Sequence, residues 1–274
     1  MSKLFRRAVS VTVGTLKITG LRVAFKVVKT ERPEPNSAEI TIFNLWEDHR
    51  RDMQTEGAAV LLEAGYQYKS GESTVKQLFV GDMRVAGHAR RGVDWVTRLE
   101  AGDGEKAVRT STITESFKKG VAKKAVAQRL LESMKLNVKD AIAKVNSDGL
   151  EAGAEEFARG VSLSGSSAQE LTRLLDGMGL QWSVQDGAVQ VKKRGDIVGD
   201  LVVLGPSTGM IGSPEPGEKG YLKVRSLLNP LIKPGGGIAL SSESFKGTFR
   251  VEKTTAVGDT HGADWYVEAE VLPV

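Results

Sequence analysis

The stretch Phe79-Val-Gly81-Asp-Met-Arg84-Val85 returns late in the chain as Phe245-Lys-Gly247-Thr-Phe-Arg250-Val251, and that return decides how the chain is divided. Gly92-x-Asp94-Trp95 follows seven residues after Val85, and Gly262-x-Asp264-Trp265 follows eleven after Val251, so the copies differ by a four-residue loop insertion. Upstream, Ile42-Phe43-Asn44-Leu45 resembles Leu227-Leu228-Asn229-Pro230, and Val60-Leu61-Leu62 resembles Ile238-Ala239-Leu240. An internal repeat at this separation points to a duplicated structural unit. Within Gly-x-Asp-Trp, glycine and aspartate suit a turn, and the Trp enters the next strand and buries a large face.

Working outward, the flanks of both copies alternate with period two: Val9, Val11, Val13, then Leu21, Val23, Phe25, Val27, and Ala38, Ile40, Ile42. Half-buried strands carry this pattern. Further strands are expected at 58–64, 77–85 and 95–101, with a short charged helix over 46–55 and a polar hairpin or loop over 66–74. Late strands are expected at 201–204, 221–226, 237–240, 247–253 and 265–271. Between the two β regions the period changes. A strand is expected over 109–117, then Ala122, Val126, Leu130, Leu131 and Met134 share one face of a helix over 121–136. Ser167 and Glu170 stand at capping-box spacing before Leu171, Leu174, Leu175 and Met178, and Gly179 closes that helix. Leu180, Trp182 and Val184 alternate into Asp186-Gly187, a hairpin turn, and Val189 and Val191 alternate back. The acidic stretch 141–160 is poor in large apolar residues and is expected to be a mobile loop. The fold class is therefore α+β, mainly β: two related antiparallel β-barrel domains, 1–108 and 199–274, flanking a small α/β helix-hairpin insert at 109–198.

The chain has 274 residues, 40% of them apolar, enough for more than one domain at roughly 100–200 residues each. Its longest apolar runs fall far short of the roughly 20 residues a spanning helix needs, so no membrane insertion is expected. Met1–Gly20 lacks a continuous apolar region and is not read as a signal peptide. Cysteine is absent, which excludes disulfides, thiolate metal sites and cysteine nucleophiles. The net charge of +4 is uneven: residues 1–30 hold seven basic groups (Lys3, Arg6, Arg7, Lys17, Arg22, Lys26, Lys29) and no acid. Lysines on edge strands discourage edge pairing, and no aromatic platform for bases is interleaved with them.

Catalytic constellations are not found. His49, His88 and His261 have no partner at metal-binding or catalytic spacing; His261 between Asp259 and Asp264 is read as turn chemistry. Gly212–Gly220 lacks the Gly-Lys-Ser/Thr of a phosphate loop, and no Gly-x-Ser-x-Gly occurs. No enzyme, cofactor or metal is expected.

With these segments in place the chain resembles the baseplate hub proteins of contractile-tailed bacteriophages. Asn36–Leu45, the Ser-Ala-Gln-Glu-Leu helix leading into Gly179–Val191, Thr208–Pro214, Leu227–Ile232 and Gly258–Trp265 carry the resemblance, from about residue 20 onward. It implies a homotrimeric hub whose two β-barrels per subunit form a six-part ring between the hexameric tail tube and a trimeric spike or needle. It further implies contacts with other baseplate subunits, genomic DNA passing through the channel without specific recognition, and a place in the virion after assembly in the host cytoplasm. A closed interface reproduces its partner's rotational symmetry, and three subunits with two similar barrels supply six similar contacts. A chain of this length leaves a fused lysozyme or long spike to separate partners, and the resemblance assigns no individual interface residue. The alternatives are a peptidoglycan-binding or wall-degrading tail module gripping glycan through Trp182, and a basic β protein that binds nucleic acid through its first thirty residues.

Overall fold

Alternating burial builds the first strands of the chain, whose computed structural model describes residues 5–53, 56–148, 156–199 and 201–274. β1 (Phe5–Val13), β2 (Leu16–Thr19), β3 (Val23–Thr30) and β4 (Ser37–Phe43) precede a one-turn helix α1 (Glu47–Asp52), then β5 (Ala59–Tyr68), β6 (Lys76–Arg91) and β7 (Asp94–Gly102). After the insert the chain returns as β12 (Leu201–Leu204), β13 (Glu215–Pro216), β14 (Leu222–Leu227), β15 (Gly237–Ser241), β16 (Lys246–Asp259) and β17 (Trp265–Pro273). β6 and β16 run six residues beyond the strands expected at 77–85 and 247–253.

These thirteen strands form one sheet, in the order β13-β14-β17-β16-β3-β4-β7-β6-β5-β1-β2, with β12 pairing parallel to β15 and β15 pairing β16. The order as hydrogen-bonded runs from one end to the other without closing. One compact unit takes Met1–Thr30, Asn36–Asp103 and Ile197–Val274, so both β regions fall within it. Its core is a single cluster that includes Phe25, Ile40, Ile42, Leu62, Phe79 and Leu99 from the first region and Val251, Trp265, Val267 and Val271 from the last.

The second unit takes Gly104–Asp196 together with Glu31–Pro35. It contains α2 (Glu105–Thr110), β8 (Thr112–Phe117), α3 (Lys123–Ser133), α4 (Lys139–Asp148), β9 (Val161–Ser166), α5 (Ser167–Asp176), β10 (Leu180–Gln185) and β11 (Ala188–Lys193). α3 and α5 bury Val126, Leu130, Leu131, Leu171 and Leu175 in one cluster with Leu180, Trp182 and Val184 of the β10–β11 hairpin, whose turn residues Asp186 and Gly187 both have positive φ. Glu31 and Lys192 form a buried ion pair within this unit and hold the short 31–35 segment to β11.

Three expectations are corrected. The strand expected over 109–117 begins only at Thr112, because Glu105–Thr110 is helical behind Gly104, whose φ of 65° turns the chain. Of the loop expected over 141–160, the part as far as Asp148 is helix α4, 149–155 lie outside the described residues, and 156–160 are irregular up to β9, which starts at Val161. Ala141 and Val145, one turn apart, are each 1% exposed and give α4 a narrow buried face that the acidic composition concealed. The cap of α5 is Ser166, accepting from the Gln169 N–H, one residue earlier than the capping-box spacing indicated; Ser167 is buried and accepts from the Ser133 hydroxyl.

Trp182 is 3% exposed, and its Nε1–H donates to Thr172 Oγ1 at 2.9 Å. An indole packed in this way has no face to offer a glycan, which removes the feature on which the wall-binding alternative rests. Trp182→Ala is expected to cost about 3–5 kcal/mol of folding stability, seen as a lowered thermal midpoint, and Trp182→Phe to cost less. Unchanged stability in the alanine variant would contradict the packing.

Candidate assembly interface

The two β regions of the first unit repeat one arrangement of strands. Four strands in the first region pair in the order β4-β7-β6-β5, and four in the last pair in the order β14-β17-β16-β15, every neighbour antiparallel in both. The registers also match. In the first set the β6–β7 ladder shifts between Met83 and Val85, leaving Arg84 as an extra residue; in the second, β16–β17 shifts between Val251 and Lys253, leaving Glu252. A bulge bends its strand and sharpens the local twist. Superposing the bulges sets Arg84 against Glu252, Trp95 against Trp265, and Val60-Leu61-Leu62 against Ile238-Ala239-Leu240.

This register places the residues singled out from the sequence. The Gly92-x-Asp94-Trp95 and Gly262-x-Asp264-Trp265 turns fall at the same hairpin, β6–β7 and β16–β17. The Phe79–Val85 and Phe245–Val251 strings are two residues out of ladder register: Gly81 stands where Phe249 stands, and Phe79 where Gly247 stands. Side chains repeat every two residues along a strand, so a two-residue displacement keeps the same face inward and is invisible to pattern matching. The glycines differ accordingly. A Cβ on Gly81 would lie 2.5 Å from the Gly102 carbonyl oxygen, whereas Gly247 has a φ of 136° and meets nothing closer than Phe249 at 3.8 Å. Phe79 is fully buried, Phe245 partly; Val251 is buried and Val85 exposed; Arg84 and Arg250 are both partly buried, and Arg250 pairs with Glu252.

The two tryptophans part company. Trp265 is 4% exposed, with Phe25 of β3 edge-on at 5.6 Å and Tyr66 at 6.3 Å. Trp95 is 40% exposed, with the Arg50 guanidinium 4.2 Å over its ring, so the expected buried role holds for Trp265 and is corrected for Trp95. Asp94 accepts from the Asn44 side chain at 2.9 Å and Asn44 accepts from the Trp95 N–H, fixing that turn from β4.

The matched sets meet at a seam. Ala24–Thr30 of β3 pairs antiparallel with Lys253–Asp259 of β16. At its end Arg22 donates twice to Asp259, at 2.8 and 3.2 Å, and Asp259 also accepts from the His261 N–H at 2.9 Å. Arg7 donates to the carbonyls of Asp259, Gly262 and Ala263 at 2.7, 2.5 and 3.0 Å. Two of the seven N-terminal cations thus hold the β16–β17 turn, which no sequence pattern signalled because their partners lie more than 230 residues away. In the 259–264 turn the His261 ring lies 2.9 Å from the Thr260 hydroxyl, and among the described residues no group of three or more His, Cys, Asp or Glu is placed to hold a metal. Lys3 lies outside the described residues. No helix among the described residues is long and apolar enough to cross a membrane.

A family model described as Baseplate hub gp41 matches residues 8–271. No curated protein matches the chain in sequence. Among solved structures, the fold is similar to the 43 kDa tail protein of prophage MuSo2 from Shewanella oneidensis, with a TM-score of 0.68 at 7% identity over 97% of both chains. It is similar to the tail protein from Neisseria meningitidis MC58, with a TM-score of 0.64 at 10% identity over 97% of this chain and 96% of that one. A third is the E. coli c3393 protein, a component of the type VI secretion system described as structurally similar to the T4 bacteriophage tail proteins gp27 and gp5; its TM-score is 0.62 at 10% identity over 96% of this chain and 76% of that one.

The seam carries a pH signature. Hydrogen bonds from Arg22 lower the Asp259 pKa from 3.8 to about 2, against the opposing effect of burial. A carboxylate depressed on folding stabilises the folded state above its unfolded pKa, and that contribution is lost as pH falls through the folded value. Asp259→Asn is therefore expected to cost about 2 kcal/mol at neutral pH, with the deficit shrinking between pH 4 and pH 2. Denaturation midpoints measured across that range check it; a deficit independent of pH would contradict the ion pair as its source.

Proposed function

The chain belongs to the baseplate hub gp41 family, and from that premise we propose that it forms a homotrimeric ring that adapts a hexameric tail tube to a trimeric spike or needle. It is a structural component of the phage tail baseplate and so of the virion tail. The family match over residues 8–271 carries the proposal, and the twice-built four-strand set supports its symmetry: three copies present six similar surfaces to a sixfold ring and three to a threefold spike. In this reading residues 1–108 and 199–274 act as two tube-type β-barrel domains, and 109–198 as an insert. Other baseplate subunits bind its remaining surfaces, DNA passes through the channel without sequence recognition, and assembly takes place in the host cytoplasm. The role is mechanical and needs neither catalysis nor a cofactor.

Light scattering coupled to size exclusion tests it. The expected mass in solution at high protein concentration is three chains, about 88 kDa from the 29.5 kDa of one. A chain that stays monomeric at high concentration and in assembled tails would overturn the proposal.

A further inference from the structure

β16 is long enough to serve two partners on one edge: its first half pairs with β15 from Lys246 to Arg250, and its second half pairs with β3 from Lys253 to Asp259. β6, its counterpart, pairs with β5 from Lys76 to Asp82. Beyond the bulge, Val85–Arg91 pairs with β7, and among the described strands none covers its other edge. Exposure follows the difference. Five of the seven residues Val85–Arg91 are exposed, and none of Lys253–Asp259 is.

Trp95 tells the same story. Trp265, its counterpart, is covered by Phe25, and Phe25 belongs to the strand that fills the second half of the β16 edge. Trp95 stands 40% exposed under the Arg50 guanidinium, beside the half of the β6 edge that none of the described strands covers.

The counterpart of β3 in the last region is the segment against the outer edge of β14: Met210 bridges Ser226, Glu215 pairs Lys223 and Pro216 pairs Leu222. Through the matched registers Val23 corresponds to Met210, Lys26 to Glu215 and Val27 to Pro216, with two extra residues between Met210 and Glu215. Its side facing away from β14 has no strand partner among those described. Charge matches as well. Val85–Arg91 reads Val-Ala-Gly-His-Ala-Arg-Arg, basic without an acid, and 209–218 reads Gly-Met-Ile-Gly-Ser-Pro-Glu-Pro-Gly-Glu, acidic without a base. Apolar Val85 and Ile211 are exposed on the two surfaces.

We propose that the open β6 edge at Val85–Arg91 receives the Met210–Pro216 segment of a second copy of this chain, repeating between copies the β3–β16 seam made within one. The contact is head-to-tail, so each copy gives a segment and accepts one, and the series closes after three. The inference rests on the trimeric reading above and adds the surfaces that form it. The transferred register sets Glu215 of one copy opposite Ala89 of the next, with Arg91 diagonal to it on the same face.

The absence of cysteine gives a clean test by cross-linking. Ala89 and Glu215 are both exposed, and paired residues in an antiparallel ladder lie within disulfide reach, about 4.5–5.5 Å between Cα atoms. The double variant Ala89→Cys/Glu215→Cys is oxidised at high concentration and run without reductant, beside each single variant and an Ala89→Cys/Lys17→Cys control. Covalent dimer and trimer with nothing beyond three, from the Ala89/Glu215 pair alone, is the expected result. A variant that is folded by circular dichroism and trimeric by mass, yet uncross-linked, overturns the edge assignment and leaves the trimer standing. A folded variant and parent that are both monomeric and uncross-linked overturn the trimeric reading and this inference with it. A ladder continuing past three overturns ring closure.

Discussion

The pairing of Ala24–Thr30 with Lys253–Asp259 is the contact on which the rest of the first unit depends. It joins segments more than 220 residues apart, so the entropy of closing that span is recovered only by the ladder itself and by the core it completes. Without it the sheet would divide between β3 and β16, and Phe25 would no longer cover Trp265. Arg7 and Arg22 reinforce the same place from the N-terminal strands, anchoring the β16–β17 turn through its carbonyls and Asp259. The basic character of the first thirty residues therefore has a structural use, and the nucleic-acid alternative loses part of the charge that motivated it.

A seam of this kind needs long strands. β16 spans 14 residues and β6 spans 16, and in each the bulge lies where the strand passes from one partner to the next position along its edge. Bending there lets one strand belong to two ladders without breaking its hydrogen bonds to the neighbouring hairpin strand. The duplicated set thus brings with it a duplicated edge, filled in one copy and open in the other. That asymmetry is the basis of the proposed contact between copies: one of two matching edges is paired within the chain, and the other is paired by none of the described strands.

Much of this was legible in the sequence because alternation is a direct record of burial. Val23, Phe25 and Val27 read as strand and are strand, and Asp186-Gly187 reads as a two-residue turn and has the positive φ values such a turn needs. Other features were hidden for physical reasons. The repeat strings at 79–85 and 245–251 align two residues out of register, since a period of two gives the same inward face in either alignment. Ala141 and Val145 are small, so the buried face of α4 was lost among acidic neighbours. The continuation of β6 through Gly-His-Ala-Arg-Arg has no apolar alternation to read: four of these five residues are exposed, and His88 is half-buried. Trp95 and Trp265 occupy matching positions in the sequence, and only the three-dimensional register shows that Phe25 stands over one of them.

The most direct measurement of the central claim, that a doubly built chain closes into a ring of three, is the rotational symmetry of class-averaged electron micrographs of the purified protein or of detached baseplates. The account predicts a closed ring with threefold symmetry and a strong sixfold component from the two matched strand sets in each subunit. A closed ring whose symmetry is not a multiple of three, or a ring of six chains each contributing one density, would contradict it.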